Sequence, residues 1–186
     1  MQLLKSSKDF QLNKTTLVNL RLIAHLGQLL AIIIVKFYFD FEFSQYLNCL
    51  IIVGIGIGTN IFLHFQTKDN QLDNLQSTIY LAYDIIQLGV LLYLTGGVTN
   101  PFIIIIIVPS VFSSKYLNLW TSIFLASLTL FILLIISFYY LELPHPKEHY
   151  FHVPGYYFFS IPLAVSICLI FLVYFGIKFG NEYRIR

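Results

Sequence analysis

Long apolar runs separated by short polar segments dominate the sequence. A membrane-crossing helix needs about 20 mostly apolar residues, because it rises 1.5 Å per residue through a hydrocarbon core about 30 Å thick. The pattern predicts an all-α integral membrane protein, a six-span transmembrane helical bundle in which the fourth span is short. The predicted spans cover approximately residues 17–37, 46–65, 76–95, 101–114, 119–141 and 156–179.

Composition supports a membrane location for the whole chain. Of its 186 residues, 58% are hydrophobic and 11% are charged, whereas a soluble domain carries about 25% charged residues. The net charge of +2 and the lack of a dense basic run exclude nucleic acid as an expected partner. Cys49 and Cys168 lie in separate apolar segments, and we expect both to be small buried hydrophobic residues.

The distribution of Lys and Arg predicts the orientation. With the N-terminus in the cytoplasm, only Lys36 and Lys147 fall outside, which agrees with the excess of basic residues found in cytoplasmic loops. Both termini are therefore predicted to be cytoplasmic. Residues 1–15 would be an N-terminal tail, residues 16–180 the six-helix domain, and residues 181–186 the start of a cytoplasmic linker.

Polar residues within the predicted spans form a candidate seam through the bundle. Asp84 and Gln87 share a face of the third span, and Arg21 and His25 share a face of the first, together with Gln28. Ionisable groups in lipid are costly and usually face the bundle interior, so Asp84 is expected to pair with Arg21 or His25. Such a seam could relay protons or report a ligand. Alternatively, its members join helices by hydrogen bonds worth about 1 kcal/mol each. Both interpretations stay open for Asp84, and the second is favoured for Gln28.

Two glycines in the second span, Gly54 and Gly58, are four residues apart. This spacing predicts a close approach of a neighbouring helix, because small residues let two backbones come together.

The largest predicted outer loop contains His145, His149 and His152. This spacing could bind zinc or copper on a helix, but the prolines in the same loop disfavour a regular helix there. We therefore expect an exposed loop with no metal, and pH sensing remains an option.

The stretch "LLYLTGGVTNPF", residues 91–102, interrupts the apolar pattern. Gly96 and Gly97 can adopt positive φ and suit an abrupt helix end after Leu94. Asn100 suits a helix N-cap, and Pro101 suits the first helical position. The stretch predicts a tight helix–turn–helix return at the outer membrane surface.

The predicted turn also has features of a ligand site. Helix ends leave backbone N–H and C=O groups without intrahelical partners, and here they would lie beside Tyr93 and Phe102. A few hydrogen-bonding groups on an apolar wall suit a small amphipathic ligand such as a quinone, whose carbonyls accept hydrogen bonds and whose tail stays in lipid.

The heptapeptide "GGVTNPF", residues 96–102, resembles the GGxxNPF motif of the RegB/PrrB family of membrane-bound, redox-responsive sensor histidine kinases. The resemblance extends over almost the whole chain. "TLVNLRLIAHLGQ" at 16–28 is similar to the opening of that family's first span, and "YDIIQLGVLLYLTGG" at 83–97 is similar to its Asp-bearing third span.

The resemblance implies a multi-pass sensor in a bacterial inner membrane that responds to the redox state of the quinone pool. In that family the heptapeptide is tied to ubiquinone binding, and members act with a response regulator, usually as dimers. The family's phosphoacceptor histidine, ATP-binding domain and redox-active cysteine lie downstream of its last span, so we expect no phosphotransfer from residues 1–186 themselves. By position, the resemblance implicates Gly96, Gly97, Asn100, Pro101 and Phe102, and we add Tyr93.

The predicted function is therefore the sensor domain of a two-component histidine kinase, with quinone as its sensed ligand and with lipid, a second copy and a response regulator as partners. The alternative is a small transporter or channel with a polar path lined by Asp84, Arg21 and His25. A purely structural anchor is a further possibility, in which these residues affect stability but no signal.

Overall fold

The structure is a computed structural model that describes residues 12–66, 70–147 and 154–185. The chain is almost entirely helical, and five of its helical segments are long and apolar enough to cross a membrane. A sixth apolar segment, Pro101–Tyr116, is shorter. The prediction of an all-α helical membrane bundle is confirmed.

In chain order the elements are β1 (Leu12–Asn13), α1 (Lys14–Ile33), a π-helical turn (Ile34–Tyr38), α2 (Tyr46–Gln66), β2 (Gln71–Leu72), α3 (Asn74–Leu94), 3₁₀ segments at Gly97–Thr99 and Pro101–Ile107, α4 (Val108–Tyr116), α5 (Leu119–Phe138) and α6 (Tyr157–Ile185).

Several observed helix boundaries differ from the predicted ones. The predicted helix at 101–114 is divided into a 3₁₀ half and the α-helical α4. The fifth helix ends at Phe138 rather than 141, because the chain turns extended there and the Leu141 N–H donates to the Tyr93 carbonyl at 2.8 Å. At the start of the chain, the Asn13 side chain accepts hydrogen bonds from the Thr15 and Thr16 N–H groups, so α1 begins within the predicted tail.

The connections between helices gather at two ends of the bundle. At one end β1 pairs with β2, and the Asn74 amide donates to Thr121 Oγ1 at 2.7 Å, which ties α3 to α5. At the other end the Glu42 N–H donates to the His145 carbonyl at 2.9 Å. Successive helices therefore run in alternating directions. The assignment of these ends to cytoplasm and exterior stays a prediction.

The connections at the end of the bundle where Glu42 contacts His145 are joined by polar contacts. Lys147 forms an exposed ion pair with Asp40, and its hydrogen bond lowers the pKa of that carboxyl. The His145 ring is within 3.0 Å of the Pro146 carbonyl. His149 and His152 lie outside the described residues. Within the described ranges, no group of three His, Cys, Asp or Glu side chains could hold a metal ion.

Buried aliphatic side chains form two clusters. The larger joins α3, the Pro101–Ile107 segment, α5 and α6 and also includes Leu17 of α1 and Leu63 of α2. The smaller lies between α1, α2 and α3 and includes Cys49. Cys49 is buried, as the sequence predicts. The same prediction for Cys168 is wrong, because α6 presents this residue on its exposed face.

The predicted close helix approach involves a different glycine. Gly54 and Gly58 are exposed, and a Cβ added at either would meet nothing within 4 Å. The buried glycine is Gly56, where an added Cβ would overlap the side chains of His25 and Gln87. The prediction was wrong because α2 is rotated so that Gly56, and not its neighbours, faces α1 and α3.

Candidate functional site

A cavity of about 440 Å³ lies near the end of the bundle where Glu42 contacts His145, between α1, α2, α3 and the Pro101–Ile107 segment. Its walls are mostly aliphatic and aromatic, and residues of the connecting loops, such as Phe43 and Leu143, also line it. Ile23 and Phe102 line it and are 72% and 49% exposed, so the cavity opens on the lipid-facing flank of the protein. Such a site is accessible to a molecule dissolved in the membrane.

The structure brings only part of the predicted ligand site to this cavity. Asn100, Pro101 and Phe102 line it. Gly96, Gly97 and Tyr93 are not among the residues that line it. The two glycines lie behind the wall, and Tyr93 contributes its backbone carbonyl to the contact with Leu141.

The glycines are required by the shape of the turn. Gly96 and Gly97 have φ values of 104° and 57°, a region that costs other residues about 1–2 kcal/mol. A Cβ on Gly96 would lie 2.8 Å from Leu143 Cβ, and one on Gly97 would lie 2.6 Å from the Ile136 carbonyl oxygen. Helix α3 ends at Leu94, as the sequence predicts.

Asn100 holds the turn closed. Its Nδ2 donates to the Thr95 carbonyl at 3.0 Å and to Thr95 Oγ1 at 2.7 Å, while its Oδ1 accepts from the Phe102 N–H at 2.8 Å. Its amide hydrogens are thus both engaged within the turn. The predicted N-cap is confirmed, and Asn100 acts on the cavity mainly by fixing the position of Pro101 and Phe102.

We expect Asn100→Ala to lower the free energy of unfolding by about 1–2 kcal/mol, the upper part of the usual range for loss of an N-cap, because it also removes two bonds to Thr95. Unfolding by denaturant in mixed micelles, followed by circular dichroism, would measure this. Asn48→Ala is the control, because Asn48 is exposed and its amide donates to the nearby Gln45 side chain. Equal losses in both variants would contradict the role given to Asn100.

The polar seam contains a buried ion pair. Arg21 Nε lies 3.0 Å from each carboxylate oxygen of Asp84, and Nη2 lies 2.9 Å from Oδ1. The Arg21 side chain is 1% exposed and that of Asp84 is 13% exposed. Nη2 also donates to Thr59 Oγ1 at 3.0 Å, which brings α2 into the contact. Of the two partners expected for Asp84, the structure shows Arg21.

His25 and Gln87 extend the seam toward the cavity. His25 Nδ1 is 2.5 Å from the Arg21 carbonyl oxygen, and Nε2 is 3.0 Å from Gln87 Oε1. Gln87 Nε2 then donates to Gln28 Oε1 at 3.3 Å, and Gln28 itself lines the cavity. A chain of polar contacts thus connects the ion pair to the cavity. Sequence reasoning favoured a helix-to-helix hydrogen bond as the role of Gln28, and its contact with Gln87 joins α1 to α3 in this way.

These features define a class: a membrane-embedded helical bundle that combines a flank-opening apolar cavity with an internal polar seam. The chain belongs to the family of PilS-like transmembrane domains, whose model matches residues 11–180. It is similar to Sensor histidine kinase RegB of Cereibacter sphaeroides, with 31% identity over 170 residues. The aligned region is 91% of this chain and 37% of that relative, so the chain spans just over a third of the relative's length. No solved structure matches the chain.

The resemblance drawn from the sequence motifs is therefore confirmed. The chain is a RegB-like membrane sensor region and a multi-pass protein of a bacterial inner membrane.

Proposed function

We propose that this chain is the sensor domain of a two-component histidine kinase and responds to the redox state of the membrane quinone pool. The observation that carries the proposal is the position of the cavity. Asn100, Pro101 and Phe102 of the GGVTNPF turn form one wall of an apolar cavity that opens toward lipid.

The cavity suits the head group of a quinone. Its volume of about 440 Å³ lies within the range of about 300–1,000 Å³ typical of small-molecule sites. A planar ring can pack against Phe102 and the aliphatic wall, while an isoprenoid tail leaves through the open flank. Oxidised quinone only accepts hydrogen bonds, whereas the hydroquinone also donates them, so a polar group in the wall can distinguish the two forms.

The arrangement of the polar seam favours sensing over transport. A transport path needs an ionisable group that solutes can reach, but the Asp84 carboxylate is held by Arg21 and does not line the cavity. We therefore place the channel or transporter alternative second.

The route to the cytoplasm starts at the turn. The Pro101–Ile107 segment leads directly into α4, which packs against α6 so closely that a Cβ on Gly176 would overlap Ser114. Helix α6 continues to Ile185. A ligand that favours one of two packings of this segment would shift α6 and, through it, an attached kinase core that acts on a response regulator. A second copy of the chain is the expected partner in the membrane.

Quinone binding to the chain in nanodiscs tests the proposal. We expect ubiquinone to raise the thermal unfolding temperature in a saturable way, and Phe102→Ala to weaken binding roughly tenfold, because the ring supplies about 1–2 kcal/mol of apolar contact. Thermal shift is a better readout than quenching of Trp120 fluorescence. Trp120 lies in the first turn of α5, at the end of the bundle opposite the cavity.

Phe131→Ala is the matched control. Phe131 is 59% exposed, close to the 49% of Phe102, but it lies on α5 and does not line the cavity. Absence of saturable binding to the unaltered chain, or equal affinities of the two Phe variants, would overturn the proposal.

A further inference from the structure

We infer that Pro101–Ile107, the 3₁₀ segment that leads into α4, is a winding switch controlled by the cavity. A ligand in the cavity holds the segment in its 3₁₀ form. Without the ligand the segment rewinds toward an α-helix, which turns Phe102 out of the cavity wall relative to α4. The inference rests on the proposed function, because it names the structural change by which a bound quinone would reach α4.

The 3₁₀ segment is longer than this conformation usually is. It has seven residues, whereas 3₁₀ runs beyond three or four residues are uncommon, and such a stretch within a helix often marks a hinge. The winding changes at the end of the segment. Ile107 has a ψ of −19°, close to that of a 3₁₀-helix, and Val108 has a ψ of −48°, close to that of an α-helix. Two windings therefore meet between these two residues.

Pro109 explains why α winding does not continue upstream of α4. In an α-helix the Ile105 carbonyl would accept from the N–H of residue 109, but proline has no N–H, and its ring crowds that carbonyl. In the 3₁₀ form the Val108 N–H donates to the Ile105 carbonyl instead. Pro109 thus favours the 3₁₀ winding of the segment before it.

The winding decides which side chains face the cavity. Ile103 and Ile106 are buried, whereas Phe102 and Ile105, each one residue earlier, line the cavity. This spacing of three residues places each pair in one row, as 3₁₀ winding requires. Each residue turns the helix by about 120° in 3₁₀ winding and by about 100° in α winding. Over the six steps from Phe102 to Val108 the two windings therefore differ by about 120°.

Rewinding would change the position of Phe102 relative to α4. Residues four apart share a face of an α-helix, so α winding would place Phe102 on the face that buries Ile106. The orientation of α4 is fixed on α5, where Ser110 Oγ donates to the Leu125 carbonyl at 3.0 Å. A ligand packed against Phe102 and Ile105 makes both contacts only in the 3₁₀ form, so it stabilises that form.

A tryptophan reporter tests the winding without any ligand. Trp120 is the sole tryptophan, so Phe102→Trp combined with Trp120→Phe leaves one emitting side chain, at the cavity wall. In nanodiscs of brominated lipid we expect strong quenching of this emission, because position 102 is 49% exposed. Adding Pro109→Ala, which restores the missing N–H, should lower the quenching roughly twofold, because the ring turns to the buried face.

Pro162→Ala is the matched control for the reporter. Pro162 lies inside α6 and is not among the residues that line the cavity, so its replacement should leave the quenching unchanged. A second variant, Ile104→Ala, avoids the buried core, because Ile104 is 48% exposed. Alanine favours an α-helix more than β-branched isoleucine does, so quenching should fall in the same direction by a smaller amount.

Ubiquinone affinity tests the link between winding and ligand. Pro109 is buried and is not among the residues that line the cavity. Pro109→Ala should nevertheless weaken ubiquinone binding in nanodiscs roughly three- to tenfold, because the binding-competent winding is then only partly populated. Pro162→Ala should bind ubiquinone as the unaltered chain does.

The outcomes separate this inference from the proposed function. Unchanged quenching in both Pro109→Ala and Ile104→Ala, or saturable ubiquinone binding of equal affinity in Pro109→Ala and the unaltered chain, overturns the switch and leaves quinone sensing intact. Failure of the unaltered chain to bind ubiquinone overturns the proposed function and the control of the switch by quinone, whereas the quenching comparison reports the winding by itself.

Discussion

Arg21→Met is expected to lower the free energy of unfolding by about 3–5 kcal/mol, because it leaves the buried Asp84 carboxylate without its cation. The two side chains are 1% and 13% exposed, so water can replace little of the lost interaction. The guanidinium also lies over the Tyr80 and Tyr83 rings, at 5.2 and 5.7 Å from their centroids, and these contacts are lost as well. Denaturant unfolding in mixed micelles, followed by circular dichroism, measures the change.

Two controls define the origin of this loss. Arg21→Met combined with Asp84→Leu should recover much of it, because removing both charges also removes the desolvation cost. Lys147→Met breaks the exposed pair with Asp40 and should have little measurable effect. A double variant no more stable than Arg21→Met would show that the loss arises from packing and not from charge.

The pH of these measurements matters for the exposed pair. The hydrogen bond and charge of Lys147 lower the pKa of Asp40 in the folded state below the ordinary value of an aspartate carboxyl. The stabilisation is therefore present above the ordinary carboxyl pKa and is lost as the pH falls through the lowered value. At neutral pH the pair is fully formed, so Lys147→Met is a valid comparison there.

Gly97→Ala is expected to lower the free energy of unfolding by about 2–4 kcal/mol. A left-handed backbone costs an L-residue about 1–2 kcal/mol, and forcing a methyl group into a packed contact adds about 1–3 kcal/mol. The contact is severe because the added Cβ would lie 2.6 Å from the Ile136 carbonyl oxygen, a backbone atom that cannot rotate away. The same unfolding experiment measures it.

Gly58→Ala is the matched control for this substitution. Gly58 lies inside α2 with nothing within 4 Å of an added Cβ, so alanine should be neutral or stabilising by up to about 1 kcal/mol through helix propensity. If Gly97→Ala is as well tolerated as Gly58→Ala, the turn relaxes easily, and the heptapeptide glycines are needed for some other reason.

The features that the sequence predicts well are those with local causes. Hydropathy alone predicts the membrane bundle, because spanning length and apolarity are properties of each segment. The turn was also predictable, since Gly96, Gly97, Asn100 and Pro101 each have a conformational preference that acts within a few residues. Sequence reasoning likewise placed Arg21 and Asp84 on interior faces.

The features that it does not predict depend on how helices rotate against each other. Helical spacing could not choose between Arg21 and His25 as the partner of Asp84, because both lie on one face of α1. For the same reason, the sequence analysis predicted the close helix approach at Gly54 and Gly58, whereas the structure shows it at Gly56.

The 3₁₀ geometry of Pro101–Ile107 solves a problem of length. This apolar segment has only 16 residues, seven in the 3₁₀ half and nine in α4. As a continuous α-helix it would extend about 24 Å, whereas a rise of about 2.0 Å per residue in the 3₁₀ half lengthens it to about 27–28 Å, close to the ~30 Å hydrocarbon core. Rewinding that half into an α-helix would shorten the segment by about 3.5 Å and draw α4 toward the turn.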